Sequence, residues 1–555
     1  MKSKMIFLGI LLTGFLVLCG GGGILDKKTI PEQRESLENL ELAIYLNDEK
    51  TSTIPSKEGN IFDEIRSSCT NGSYIVWDYE SWSPIVKSVT VYPTRCSLYF
   101  KTGYKEDLLN GTDPVLKDEL VPVTIDNNGT VKKADLGSSW YRYEEKRWAN
   151  AVVLKNEQED YLAGETIPED NIESYFVWIP KYRYQLWDLG NYDSLTSIDT
   201  SKVHEIPIIF GDYDASDSKE GECTTPMKSG ESGNCKVGDY MTHPAFISIP
   251  STGFWVGKFE TGYDGATTKG EAEQNVNDSS KVVIKPNVYS WRGIQVANAF
   301  YTSYNYKRNL DSHMMKNTEW GAVAYLQHSK YGSSINVRIN NNSNNITGYQ
   351  ANNEPTCGFT NVNEQCNQIC GDNSCNTAYP NSVLASTTNN ISGIFDMSGG
   401  SIEYVMSFME NKEEKILIGL ESVNHSGFNG VLSCPTCNGN NSGIVEITSG
   451  IDLPKQKYYD LYNYSKSNQF SNRILGDAIG ELGPMELISR NTLDKSNYLA
   501  SSWHSLGIDN LDQNHLIYAR GGPYHDGKQV GIFTSQTAYG QLLAGWSFRI
   551  ILTPV

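Results

Sequence analysis

Short runs of alternating apolar and polar residues dominate the chain, and only two stretches carry a helical period. The first strand-like run is Glu41-Leu42-Ala43-Ile44-Tyr45-Leu46, followed by Tyr74-Ile75-Val76-Trp77, 86–91 and Ser97-Leu98-Tyr99-Phe100, with turn residues between them. Strands at this spacing predict a small β-sandwich. Residues 106–133 are polar and broken by Pro114, Pro122 and Asn127-Asn128-Gly129, which predicts a linker. Aromatic strands resume at Trp140-Tyr141-Arg142-Tyr143 and 148–154, a hairpin about Glu144-Glu145-Lys146-Arg147. Tyr175-Phe176-Val177-Trp178-Ile179 and 182–187 flank Pro180-Lys181 in the same manner.

The two helical stretches follow a further strand, Phe254-Trp255-Val256-Gly257-Lys258-Phe259-Glu260. In 290–301, Val296, Ala299 and Phe300 fall on one face. In 317–326, Asn317 or Thr318 can cap the helix start, and Trp320, Val323 and Ala324 form the buried stripe. The Asn-rich segment 336–353 predicts an irregular surface insertion, because Asn side chains compete for backbone hydrogen bonds. After it, Asp396-Met397-Ser398-Gly399-Gly400 predicts a sharp turn and Ile402-Glu403-Tyr404-Val405 a half-buried strand.

Length and charge narrow the picture. The chain has 555 residues, too many for one ordinary core, so two or more domains are expected. Its net charge of −19 disfavours nucleic acid as a partner. Lys2 and Lys4 precede an apolar run from Met5 to Cys19, and Gly20 to Gly23 end it, so 1–25 predicts a signal or membrane anchor and an extracellular location. Leu16-Val17-Leu18-Cys19 loosely matches a lipidation signal. Setting Cys19 aside leaves ten of the 11 cysteines, an even number that suits disulfides outside the cytoplasm. Nearness pairs Cys69 with Cys96, Cys223 with Cys235 and Cys434 with Cys437, and places two bridges among Cys357, Cys366, Cys370 and Cys375. Zinc at these thiolates is the alternative.

Five of these stretches carry a resemblance. Residues 390–405 resemble the "GLYDMSGNVWEW" signature of the formylglycine-generating (sulfatase-modifying factor) superfamily, whose fold is a loop-rich relative of the C-type lectins. Residues 254–260 resemble its "FWVGKYEVT" piece, and the two helical stretches resemble "VSWEDAVAYCNWL" and "LPTEAEWEYAA". Arg520-Gly521-Gly522 and Gly545-Trp546-Ser547-Phe548-Arg549 resemble the closing "RGGSW…GFRLV". The resemblance implies an α+β, C-type-lectin-like head over 138–555 with loop insertions. A small all-β, immunoglobulin-like domain over 26–105 and a linker over 106–137 precede it.

The chemistry of the superfamily's enzymes is missing. The formylglycine-forming enzyme depends on a pair of cysteines in its C-terminal segment, and no cysteine follows Arg520 here. The related iron enzymes use a histidine triad, and neither helical stretch holds an HxxxH pair. The resemblance leaves one cofactor open, a structural calcium at Glu403 and Ser401, although Gly400 supplies no side-chain oxygen. The expected function is therefore a non-catalytic, surface-anchored adhesin or receptor that binds a surface protein or glycan. Its ligand segment is Tyr524, His525, Asp526, Lys528, Gln529, Thr534, Gln536, Tyr539 and Gln541, between the framework residues Arg520 and Arg549. This segment resembles the variable region of proteins diversified by retroelements. The alternatives are an oxidoreductase of the superfamily with an unrecognised site and a structural envelope protein.

Overall fold

A computed structural model describes residues 113–156, 159–186, 205–211, 239–247, 251–334, 337–353, 374–411, 454–463, 474–479, 515–526 and 530–554, with shorter pieces between them. Residues 41–46, 49–55, 73–78, 83–88 and 98–101 are described by backbone alone. The chain divides into two compact units. Met1–Leu109, Leu116–Val121 and Ala134–Trp140 form the first, and Asn110–Val115, Pro122–Lys133 and Tyr141–Val555 form the second.

In the first unit β1 (Glu41–Leu46) pairs antiparallel with β2 (Glu49–Pro55). A separate sheet holds β3 (Ser73–Asp78) between antiparallel β4 (Ser83–Ser88) and parallel β5 (Leu98–Lys101). The expected runs are thus strands, each within a few residues of its predicted place. The leader 1–25, Cys69 and Cys96 lie outside the described residues. Among the described residues no helix is long and apolar enough to cross a membrane.

The second unit is mixed and sheet-rich, an α+β arrangement with two α-helices among its described residues. Its strands begin with β6 (Val121–Ile125), which lies in this unit from Pro122 on, and β7 (Val131–Lys133), followed by β8 (Asn150–Leu154), β9 (Ile172–Pro180), β10 (Tyr182–Gln185), β11 (Ile208–Phe210), β12 (Glu222–Cys223) and β13 (Tyr240–Thr242). Next come β14 (Gly253–Gly257), β15 (Gly262–Tyr263), β16 (Val282–Val283), helix α1 (Val296–Tyr306), β17 (His313–Met314) and helix α2 (Asn317–Gln327). The rest is β18 (Tyr349–Ala351), β19 (Asn376–Ala378), β20 (Ile402–Val405), β21 (Ser407–Asn411), β22 (Ile416–Leu417), β23 (Val431–Ser433), β24 (Glu446–Ser449), β25 (Asp460–Asn463), β26 (Ile517–Gly521), β27 (Gly531–Ala538), β28 (Trp546–Phe548) and β29 (Ile550–Leu552).

A seven-stranded sheet in the order β17-β29-β14-β9-β8-β6-β7 forms the base. Its central strands are buried on both faces, so Ala151-Val152-Val153-Leu154 reads as a continuous apolar run without alternation. Trp178 and Trp255 sit opposite one another in the β9–β14 register, with ring centroids 5.3 Å apart. The expected linker is corrected here. Asp126 Oδ1 accepts from the Asn128 and Thr130 amides, both at 2.9 Å, and Gly129 takes φ +82°, so the supposed breaker is the turn of the β6–β7 hairpin. Trp255 Nε1 also donates to the Val115 carbonyl at 2.8 Å.

Two predicted hairpins are corrected as well. Glu144 and Glu145 sit in a single 3-10 turn, Tyr143–Glu145, closed by an Arg142–Arg147 bridge rather than by two strands. Pro180-Lys181 is a corner, because β9 belongs to the seven-stranded sheet while β10 joins a second sheet, β11-β10-β13-β12.

Helix α1 starts at Val296, later than its sequence pattern suggests, and buries Val296, Ala299 and Phe300 as expected. All eleven residues of α2 are buried, so it is a core helix and not a one-faced one. Its start is capped from outside the predicted Asn317 and Thr318 side chains. Asp460 accepts from the Thr318 amide at 2.6 Å and hydroxyl at 2.9 Å, and Glu319 accepts from the Lys316 amide at 2.8 Å.

The Asn-rich segment is not a surface insertion. Asn340, Asn341, Asn342 and Asn345 are all buried and serve as interior hydrogen-bonding groups. Cys370 and Cys375 form a disulfide, one of the two bridges expected in that loop. The side chains of Cys223, Cys235, Cys357, Cys366, Cys434 and Cys437 lie outside the described residues.

Candidate functional site

Strand β20 lies at the middle of a four-stranded sheet ordered β27-β26-β20-β28. It is buried throughout rather than half-buried. The turn before it holds Asp396 at φ +61°, Gly399 at +79° and Gly400 at +69°. A Cβ on Gly400 would lie 2.4 Å from Glu260 Oε1, so only glycine fits beside that carboxylate. Glu260 Oε1 accepts from the Ser401 amide at 2.8 Å. Asp396 accepts from Asn340 Nδ2 at 3.0 Å and from the Gly348 amide at 2.9 and 3.0 Å. Asn345 Nδ2 donates to the Gly400 carbonyl and to Ser401 Oγ, both at 3.1 Å.

Arg549 ties this interior together. Its Nε donates to Glu403 Oε2 at 2.8 Å and its Nη2 to Oε1 at 2.5 Å, while Gly257 and Phe395 carbonyls accept at 2.8 and 3.1 Å. Burial alone would lower the guanidinium pKa, and the Glu403 carboxylate more than offsets it. Burial pushes Glu403 up despite that partner. It pushes Glu260 further up, helped by the charges of Asp396 and Glu403. The calcium expected at Glu403 and Ser401 does not fit these residues. Both Glu403 oxygens belong to Arg549, and Ser401 Oγ bonds Ser290 Oγ at 3.1 Å. Among the described residues no group of three His, Cys, Asp or Glu side chains is placed to hold a metal.

The predicted ligand residues divide into two groups. Register places Gly521 opposite Gly531 and Ile517 opposite Ala538, so residues 524–526 follow one end of the β26–β27 hairpin and 539–541 the other. Those ends are about 14 Å apart at ~3.4 Å per residue. Thr534 is buried and is withdrawn from the ligand surface. Gln536, Tyr539 and Gln541 are half-buried. Tyr539 packs on His515 with centroids 4.4 Å apart, and the Gln541 carbonyl accepts from Tyr404 Oη at 2.6 Å. Lys528 and Gln529 lie outside the described residues.

The first group is better placed to meet a ligand. Tyr524 is half-buried and its amide donates to the Gly400 carbonyl at 3.0 Å, which roots the loop in the turn before β20. His525 is 49% exposed in its side chain and sits 3.3 Å from Asp526. Burial raises the Asp526 pKa, and His525 opposes the shift. Lys269 Nζ lies 5.1 Å from the Tyr524 ring centroid and donates to the Ser343 carbonyl at 2.6 Å.

Beneath these groups Arg292, only 1% exposed, clamps the neighbouring loops. It donates to the Lys269 carbonyl at 2.6 Å, the Ala544 carbonyl at 2.7 Å and Glu273 Oε1 at 2.7 Å. Neither Lys269 nor Arg292 stood out in the sequence. Lys269 lies in an unpatterned polar loop, and Arg292 fell inside a stretch taken as helix.

His313 and Glu319 are 3.0 Å apart and both buried, while the His525–Asp526 pair is open to solvent and its imidazole meets the Tyr524 ring at 4.8 Å. Compared with known proteins, the chain matches no family model, and no curated protein matches it in sequence.

Proposed function

We propose that this chain is an exported, surface-anchored ligand-binding protein with a catalytically inactive head of formylglycine-enzyme-like, C-type-lectin-like fold. A small immunoglobulin-like β-sandwich precedes the head. The observation that carries the reading is the contrast between the two sides of the turn before β20. Inward, the ionisable groups Glu260, Asp396, Glu403 and Arg549 are consumed by one another and by backbone. Outward, Tyr524, His525, Asp526 and Lys269 stand on loops rooted in that rigid interior, an arrangement that lets loops vary while the framework stays fixed. The apolar run before Cys19 supports export and anchoring.

The test is an array of glycans and cell-surface proteins probed with the full-length chain in detergent. The reading predicts binding that falls by about tenfold or more in Tyr524→Ala and Lys269→Ala, with unchanged melting temperature. Turnover of a thiol peptide in the presence of copper or iron overturns it in favour of an enzyme.

A further inference from the structure

One covalent cross-link lies within a few hydrogen bonds of Tyr524. Cys370 and Cys375 close a disulfide with their Cα atoms 5.7 Å apart. Cys370 is buried against the Asn-rich segment, where Asn342 bridges to it in parallel. Its amide donates to the Asn341 carbonyl at 3.1 Å, and its carbonyl accepts from the Ser343 amide at 2.9 Å. Cys375 directly precedes β19, which pairs with β18, and its carbonyl accepts from the Asn352 amide at 3.1 Å. The disulfide thus ties the backbone of 341–343 to the β18–β19 hairpin. A cross-link restricts a segment more than a pair of hydrogen bonds does, because the net gain from each hydrogen bond is small.

Two routes run from that backbone to the outward loops. Ser343 offers its carbonyl to Lys269 Nζ at 2.6 Å, and that ammonium lies 5.1 Å from the Tyr524 ring centroid. Asn345 Nδ2 donates to the Gly400 carbonyl at 3.1 Å, the same oxygen that accepts the Tyr524 amide at 3.0 Å. Arg292 fixes the Lys269 backbone through its carbonyl at 2.6 Å and leaves the amine to Ser343. Lys269 and Tyr524 come from loops far apart in sequence, and residues 341–345 touch the support of both.

The two sulfurs differ in access. Cys375 is half-buried and follows the exposed Ser374, whereas Cys370 is buried. An attacking thiolate therefore meets Cys375 and expels the Cys370 sulfur. We infer that the Cys370–Cys375 disulfide is a redox-sensitive brace of the Tyr524 face, and that its reduction by a dithiol loosens Lys269 and the Tyr524 loop. The inference rests on the reading of that face as the ligand surface. The exchange balances: the dithiol gives up two electrons and two protons and closes its own disulfide, and Cys370 and Cys375 become thiols. A merely local staple is the contrasting case, in which loss of the bridge is felt at 341–343 and 376–378 and stops there.

The experiment treats the full-length chain in detergent with dithiothreitol, caps the new thiols with iodoacetamide, and compares it with the oxidised chain. Mass spectrometry reads acylation of Lys269 by an N-hydroxysuccinimide ester and amide exchange in a peptide spanning 523–526. Both should rise about threefold or more on reduction, while acylation of Lys330, paired with Glu144 at 3.1 Å, stays level. The double variant Cys370→Ser, Cys375→Ser should show the same rise without reductant. Unchanged Lys269 and Tyr524 signals, a change confined to 341–343 and 376–378, an equal rise at Lys330, or a rise in the reduced parent that the variant lacks would overturn the inference. Should the double variant fail to fold, the parent titrated with dithiothreitol decides. Lys269 acylation that tracks the capping of Cys370 and Cys375 supports the inference, and acylation that does not track it contradicts it. The array of glycans and surface proteins keeps the two readings apart. Binding that weakens about fivefold or more on reduction supports both. An array with no binder sinks the ligand reading, and Lys269 and Tyr524 still decide the coupling.

Discussion

Glu403 and Arg549 close a two-point ion pair in which both side chains are only 1% exposed, and through it the central strand of one sheet is fastened to the chain's last turn before β29. Each group leaves the other uncompensated if removed. Arg549→Met should therefore cost about 3–5 kcal/mol, read as a lower urea midpoint with an unchanged slope. A loss of under ~1 kcal/mol would mean the pair is dispensable.

Gly400 and Glu260 give a steric prediction. Gly400→Ala combines φ +69° with a 2.4 Å approach to Glu260 Oε1 and should destabilise by about 1–3 kcal/mol. Adding Glu260→Ala removes the obstructing oxygen and should recover part of that loss. Strict additivity of the two changes would show that they do not touch.

Asp460 gives the pH dependence. Burial raises its carboxyl to about 6, against the opposing pull of Lys316 and the Thr318 amide. Its folded pKa thus lies above the unfolded value of 3.8, so the folded state holds the extra proton between them. Its contribution is fully present below the unfolded pKa and is lost as pH rises through about 6. The melting temperature of wild type relative to Asp460→Asn should accordingly fall between pH 4 and pH 7. A difference that stays flat across this range would refute the assignment.

Asn340 tests the interior role of the Asn-rich segment. Its Nδ2 donates to Asp396 Oδ1 at 3.0 Å and to the Ile346 carbonyl at 2.9 Å. Asn340→Ala removes one donor from the buried Asp396 carboxylate and the donor to the Ile346 carbonyl, and should cost about 1–3 kcal/mol in a denaturant melt. A surface loop would tolerate the change within about 0.5 kcal/mol.

Much of the frame was legible because local chemistry sets it. The period of Val296, Ala299 and Phe300 found α1, and Asp396 to Gly400 announced a turn that backbone angles above zero require. What escaped depends on partners distant in sequence. Asn340 reads as a surface residue until Asp396, 56 positions later, takes its amide. Asn127-Asn128-Gly129 reads as a linker unless the strands it joins have a sheet to enter. The expected ligand segment is bounded by framework residues, but hairpin register separates Tyr524 from Tyr539, and Thr534 is buried. Arg292 carried no pattern, since its role lies in carbonyls of two loops brought together by the fold.

The central claim is that the head binds through the Tyr524 end of the hairpin. The most direct measurement is the affinity of the full-length chain for its strongest array ligand, taken for wild type, Tyr524→Ala and Gln536→Ala side by side. The prediction is a loss of about tenfold or more for Tyr524→Ala and a change within about twofold for Gln536→Ala, with all three melting together. Equal affinity in wild type and Tyr524→Ala, or a larger loss in Gln536→Ala, would contradict it.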